Sequence, residues 1–475
     1  MINQDASVLA DTLRRLPSID LLMRGDELQT LVSLVGTERL THVSQSIVSD
    51  LRREVREMSV GVLGLSTEEL IAEAVARIRM VCRNLDRTRT RPLINATGVV
   101  INTNLGRAPL SEKAREAVVA ASGYCSVEYD IDTGVRGKRG KYAEELLTEL
   151  TSAEAALVVN NCAAATFFIL SAFASGSEVL ISRGELVEIG GDFRIPDVLA
   201  QSGAILREVG TTNRTKIDDY EDAIDNTTCM ILSVHPSNYR VVGFTASVGL
   251  EALSDLAHQN GLILYEDAGS GALIDLAQFG IRGEPLIPRS IRMGADLVSF
   301  SGDKLMGGPQ CGIIVGRSDL IDKLRHHPLY RALRVDKLIY SALEATLETY
   351  RRGNALNELP VLRMISADEA KLETRCQTFV EKCRDLDDLH FEVIRGSSLI
   401  GGGAAPDARP VSPLIALRHR SITTTQLEND LRNFETPIIT RIERDRVMID
   451  LRTVTPPEEL EIVRAFSCFA ARSLP

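Results

Sequence analysis

Ser301-Gly302-Asp303-Lys304 closes the apolar run Leu297-Val298-Ser299-Phe300, and Gly307-Gly308-Pro309 breaks the chain soon after. A lysine where a buried strand stops lies at the rim of a sheet, and partial desolvation there disfavours its ammonium form. The neutral amine attacks carbonyl carbon, so Lys304 suits a Schiff base. Pyridoxal 5'-phosphate is the cofactor most often held that way. Alone, the run reads equally as a solvated lysine among turn residues.

Other residues could complete such a site. Asp267 follows the run Leu262-Ile263-Leu264-Tyr265. A carboxylate at the end of a buried strand is costly unless paired, and a protonated pyridine nitrogen would pair with it. Its other reading is a cap on the next turn. After Val158-Val159 comes Asn160-Asn161-Cys162-Ala163-Ala164-Ala165-Thr166, small residues that open a helix. Their free N–H groups would suit a phosphate, and an asparagine there is equally a plain helix cap. His235 stands past another apolar run and either orients a cofactor or is a satisfied core histidine. Arg107, Arg136, Arg139, Arg331 and Arg334 are solvated by default, but arginines converging on one pocket would clamp an anion. Arg331 and Arg334, three residues apart, would share one face if that segment is helical.

Elements able to place these groups are visible between Ala153 and Gly316. Seven short apolar runs recur there, most of them separated by helix-like stretches. Continuous apolar strands alternating with helices imply a mostly parallel sheet covered on both faces, with ligands beyond its carboxyl ends. Residues from Ser7 to about Asn84 follow helical spacing, broken at Gly61-Val62-Leu63-Gly64 and restarted at Ser66-Thr67-Glu68-Glu69. The stretch Arg77–Arg91 holds six arginines against one aspartate, either a solvated face or a phosphate-binding one. Helical spacing returns near Leu343, followed by an α+β tail in which Gly401-Gly402-Gly403 marks a turn or a close backbone approach.

At 475 residues the chain needs more than one core. The expected domains are 1–88, helical, 89–345, α/β, and 346–475, a linking helix with a small α+β domain. A net charge of -11 argues against coating nucleic acid non-specifically and leaves room for a local basic surface. No membrane span or signal peptide is visible, so a cytoplasmic protein is expected. The eight cysteines are scattered without metal-ligand spacing, so reduced thiols and no metal site are expected.

Taken together, the chain resembles the L-seryl-tRNA(Sec) selenium transferases over nearly its whole length. The resemblance is carried by Leu16–Asp20, Ile94–Arg107, Ser182–Gly191, Val209–Thr215, Ser301–Lys304 and Arg331–Lys337. It implies an α/β fold of the fold-type-I pyridoxal-phosphate class, like aspartate aminotransferase, with a helical tRNA-binding N-terminus. It further implies a Schiff base on Lys304, the ring nitrogen at Asp267, and phosphate contacts from Asn161, Cys162, Ala163, Ala164 and Ser301. Arg107, Arg331 and Arg334 would bind selenophosphate. Seryl-tRNA(Sec) would become selenocysteinyl-tRNA(Sec) through an aldimine and an aminoacrylyl intermediate, Lys304 moving the α-proton and Asp303 either assisting or stabilising its turn. The resemblance also implies a homodecamer, a ring of dimers with shared active sites. Cys162 departs from a third asparagine, and Glu266 from small apolar surroundings. A lyase or aminotransferase acting on a small amino acid or amino sugar is the nearest alternative; a tRNA-binding scaffold is another.

Overall fold

The computed structural model describes residues 2–57, 64–87, 89–188 and 194–472. Gly61, Val62 and Leu63 of the expected break, Thr88 of the basic stretch and Ile189-Gly190-Gly191 of the family motif lie outside the described residues. The chain forms two compact units, Met1–Leu93 and Ile94–Pro475.

The first unit is helical: α1 (Ile2–Arg15), α2 (Ile19–Arg24), α3 (Asp26–Val35), α4 (Thr37–Arg56) and α5 (Thr67–Arg87). Leu40, Ile47, Leu51, Val55, Leu70, Ala74 and Ile78 recur at helical spacing and form its buried core. Ser66 starts α5 with a reciprocal capping pair: its Oγ accepts from Glu69 N at 3.2 Å while Glu69 Oε2 accepts from Ser66 N at 2.8 Å. Arg77 is spent inside this unit, on Glu54 at 2.5 Å and Glu73 at 2.7 Å. Arg79 reaches Glu27 at 3.2 Å. Arg77 and Arg79 thus link α5 to α4 and α3.

In the second unit, strand β1 (Ile94–Asn95) precedes β2 (Ala155–Val159), β3 (Glu178–Ser182), β4 (Ile205–Val209), β5 (Thr228–Val234), β6 (Ile263–Gly269), β7 (Leu297–Ser301) and β8 (Gly312–Gly316). The last seven form one sheet in the order β2-β8-β7-β6-β5-β3-β4. Only β8 runs against its neighbours; the rest point the same way. Val, Ile, Leu and Ala fill both faces because helices cover both, giving two separate apolar cores. This is the α/β fold of the fold-type-I pyridoxal-phosphate enzymes. The carboxyl ends of β2, β6 and β7 carry Asn161, Asp267 and Lys304 to one rim of the sheet.

The tail adds β9 (Leu389–Ser397), β10 (Val411–His419), β11 (Ile438–Ile439), β12 (Arg441–Glu443) and β13 (Arg446–Ile449). An antiparallel sheet, β12-β13-β10-β9, packs on helices 369–382, 424–432 and 456–472 around its own core. The helix Lys337–Arg351 runs through the boundary expected at 345. β1 pairs with β11, and Val100 and Ile101 donate to Leu399 O and Ile400 O at 2.9 and 2.7 Å. The stretch 94–107 is thus a strap sewn to β11 and to the loop after β9 before it reaches the large sheet. Gly401 and Gly402 are both a turn and a close approach. Their φ values are 77° and 66°, and a Cβ on Gly402 would lie 2.4 Å from Ile101 Cγ2. Among the described residues no helix is long and apolar enough to cross a membrane, and no group of His, Cys, Asp and Glu could hold a metal. All eight cysteines are free thiols.

Candidate active site

Lys304 owes its place to a tight turn. Gly302 N donates to Cys311 O at 2.9 Å and Gly308 N to Gly302 O at 2.8 Å, folding the chain back from β7 into β8. A side chain at Gly302 would put its Cβ 2.6 Å from Pro309 O, so the turn closes only with glycine. Lys304 is partly buried, and its charge acts on Asp267 and Cys162.

Asp267 is buried at the end of β6. Thr166 Oγ1 donates to it at 2.9 Å, Gly269 N at 3.1 Å, Ser299 Oγ at 3.4 Å and Cys162 Sγ at 3.5 Å. Tyr265 O–H bonds Ser299 Oγ at 2.7 Å and Thr166 Oγ1 at 3.0 Å, fixing two of those donors. Burial raises the Asp267 carboxyl, while these donors and Lys304 oppose the rise. Burial and the Asp267 charge push the Cys162 thiol well up, so it stays a neutral donor.

Asn161 caps helix Cys162–Phe173, its Oδ1 accepting from Ala164 N at 2.8 Å. The first-turn N–H groups of Cys162 and Ala163 point out of the helix end, as any helix start requires. A Cβ on Gly312 would sit 2.1 Å from Asn161 O, so β8 passes tight against this loop. Ser301 is buried at the end of β7.

Arg107 adopts φ 64°, a left-handed conformation that a non-glycine residue takes only when its surroundings force it. Its N–H bonds Asn102 O at 2.9 Å, and Nη1 reaches Gln310 Oε1 at 3.1 Å and Asp303 Oδ2 at 3.5 Å. Burial raises the Asp303 carboxyl, with Arg107 and Lys304 pulling the other way. Asp303 O also accepts from Ala108 N at 3.2 Å, so the turn and the strap are joined through it.

The expected helical face for Arg331 and Arg334 does not form. The helix Pro328–Leu333 ends one residue early, and Arg334 is extended at ψ 143°. Its backbone bridges Val159 beside the Asn161 loop, while its guanidinium lies 3.6 Å from Glu128. Arg136 and Arg139 bind the same Glu128 at 2.6 and 2.5 Å. Arg331 is exposed and forms no ion pair among the described residues. Within one chain no hydrogen bond or ion pair among the described residues joins Arg107 to either of them.

His235 meets the site through its backbone, N donating to Asp267 O at 3.0 Å. Its ring turns the other way: Nε2 lies 3.4 Å from Glu284 Oε1, within ion-pair distance but misaligned for a hydrogen bond. A cavity of about 320 Å³ adjoins it, lined also by Glu185, Thr211, Thr212, Arg214 and Glu266. A larger cleft of about 960 Å³, between Tyr129, Glu144 and Tyr340, contains none of the residues around Lys304. Sequence reasoning missed Thr166, Ser299, Gln310 and Glu284. The alternation along β7 could have flagged Ser299 as a polar residue in an apolar strand; Thr166 stood in the helix-opening run without being singled out, and nothing marked Gln310 or Glu284.

The family model for L-seryl-tRNA selenium transferase matches residues 93–455. An L-seryl-tRNA(Sec) selenium transferase of Geobacter metallireducens is 44% identical over 461 residues, covering 96% of this chain and 99% of the relative. The chain belongs to this family. One of that name from Aquifex aeolicus is 48% identical over 374 residues, 78% of this chain and 82% of the relative. Among solved structures, a D-glucosaminate-6-phosphate ammonia-lyase superposes with a TM-score of 0.56 at 21% identity, over 83% of this chain and 99% of that one. That likeness is one of fold.

Proposed function

We propose that this chain converts L-seryl-tRNA(Sec) to selenocysteinyl-tRNA(Sec), with selenophosphate as selenium donor and pyridoxal 5'-phosphate as cofactor. The observation that carries the reading is that Lys304, just past the end of β7, and the buried Asp267, at the end of β6, come to one rim of the sheet close enough for the lysine's charge to act on the carboxyl, in a member of this family. The donor set fits the cofactor. Asp267 is a buried carboxylate bonded by neutral donors, so a protonated ring nitrogen would complete it. The Asn161 helix start, with Cys162, Ala163, Ala164 and nearby Ser301, would take the phosphate. Lys304 would bond the aldehyde carbon.

When bound, pyridoxal phosphate supplies the electron sink for bond breaking at the seryl α-carbon. Lys304, partly buried, would take and return the seryl α-proton. Asp303, held between Arg107 and the Lys304 turn, would either assist proton transfer or stabilise that turn. Arg107 would bind the selenophosphate anion near Gln310. Among the described residues no hydrogen bond or ion pair joins Arg331 or Arg334 to Arg107 within one chain, which fits sites shared between subunits of a ring of dimers.

The test is turnover of seryl-tRNA(Sec) with selenophosphate against free serine. Selenocysteinyl-tRNA(Sec) formed only from the charged tRNA supports the reading. Free serine turned over equally well refutes the tRNA assignment.

A further inference from the structure

We infer that Glu284 is a positioning residue: its buried carboxylate latches the Gly401–Ala405 loop to the strand ends and, through the strap, sets the place of Arg107. The inference rests on the reading of Arg107 as the donor-binding arginine.

Glu284 lies between Gly283, φ 82°, and Pro285, in the loop that leads to the helix Ile287–Arg292. Its side chain is only 5% exposed. Oε2 accepts from Ser270 Oγ just past β6, Oε1 accepts from Ala405 N at 2.5 Å, and Oε1 lies 3.4 Å from His235 Nε2 just past β5. One carboxylate thus gathers groups from three segments far apart in sequence. Burial alone would raise it, but His235, Ser270 and Ala405 together hold it below its ordinary value, so it remains an anion.

Ala405 has φ 46°, a conformation an L residue keeps only when its neighbours over-determine it. The bond from its N–H to Glu284 is such a neighbour. From there the path to Arg107 is short and closely packed. Ala404 N bonds Gly401 O at 3.1 Å, and a Cβ on Gly401 would lie 2.7 Å from Ile101 O. Ile101 N is bonded to Ile400 O at 2.7 Å. The next residue, Asn102, accepts from Arg107 N and helps hold its left-handed turn. Arg240 and Asp407 also tie the two sides at 2.5 Å, but both are well exposed and such pairs hold little. Glu284 is the buried tie.

A glutamine at 284 keeps a carbonyl oxygen for Ala405 N and turns its NH2 to Ser270 Oγ, which can accept, but loses the charge facing His235. An alanine loses everything. In the full-length holoenzyme, E284A is expected to raise the selenophosphate KM about tenfold, the scale of a small misplacement of a binding group. The KM for seryl-tRNA(Sec) and the cofactor absorbance should stay at wild-type values. Hydrogen exchange at Val100 and Ile101 should speed up in E284A. E284Q should restore both the KM and the exchange to within about twofold of wild type. If E284A does not fold, G402A carries the test, since its methyl meets Ile101 and should reproduce the donor defect with E284Q normal. Wild-type donor KM in folded E284A, or a raised KM with unchanged exchange over 98–107, would overturn the inference. Were the wild type inert with selenophosphate, the functional reading would fall, and the exchange rates alone would still judge the latch.

Discussion

Glu185 offers a clean electrostatic perturbation of the strand ends. Its Oε2 accepts from Val234 N at 2.9 Å, and burial, with the Glu266 charge adding, raises its carboxyl from 4.5 to about 7. A group raised in the folded chain binds a proton that the unfolded chain releases. Its stabilising effect is therefore full below pH 4.5 and lost as pH climbs to about 7. A shift of this size corresponds to about 3 kcal/mol at pH 8, an upper figure because Glu185 borders a cavity. Glu185→Gln keeps an acceptor for Val234 and cannot ionise. Urea unfolding of the 94–475 unit, for wild type and variant at pH 5 and pH 8, measures the difference. The variant should gain about 2 to 3 kcal/mol on the wild type between the two pH values. Identical pH dependence in the two proteins would refute the reasoning.

Thiol titration of the folded protein should find Cys125 and Cys468 reacting fast, because both are exposed, with Cys162 and Cys311 slow because burial raises their thiols. Ser66→Ala removes one half of the α5 capping pair and should lower the stability of the helical unit by about 1 kcal/mol, read by circular dichroism on melting. Gly98→Ala is strained at φ 73°, and its Cβ would meet Asp450 Oδ2 at 2.1 Å. It should cost more than the roughly 1–2 kcal/mol of a left-handed L residue and visibly lower the thermal midpoint of the 94–475 unit.

How much was legible depended on how local the signal is. The seven apolar runs are strands because each is short, uninterrupted and closed by turn residues, and Lys304 and Asp267 stand where two of them stop. Ser66 and Glu69 announce α5 for the same reason: a cap is read within one turn. Contacts across hundreds of residues leave no such mark. Nothing in Ile94-Asn95 announces pairing with Ile438-Ile439, and nothing in Gly283-Glu284-Pro285 announces a bond to Ala405. The Arg331/Arg334 pattern misled because a helical period was assumed past a helix that ends at Leu333, where the backbone turns to meet Val159 and Asn160. Within the six-arginine stretch the partners of Arg77 and Arg79 were not legible, since they include Glu54 and Glu27 from other helices.

Borohydride reduction of the holoenzyme followed by peptide mapping tests the central claim most directly. A pyridoxyl group fixed on Lys304, and no modified peptide from Lys304→Ala, is the result this account predicts. Modification of a different lysine, or an unmodified Lys304 in active enzyme, would contradict it.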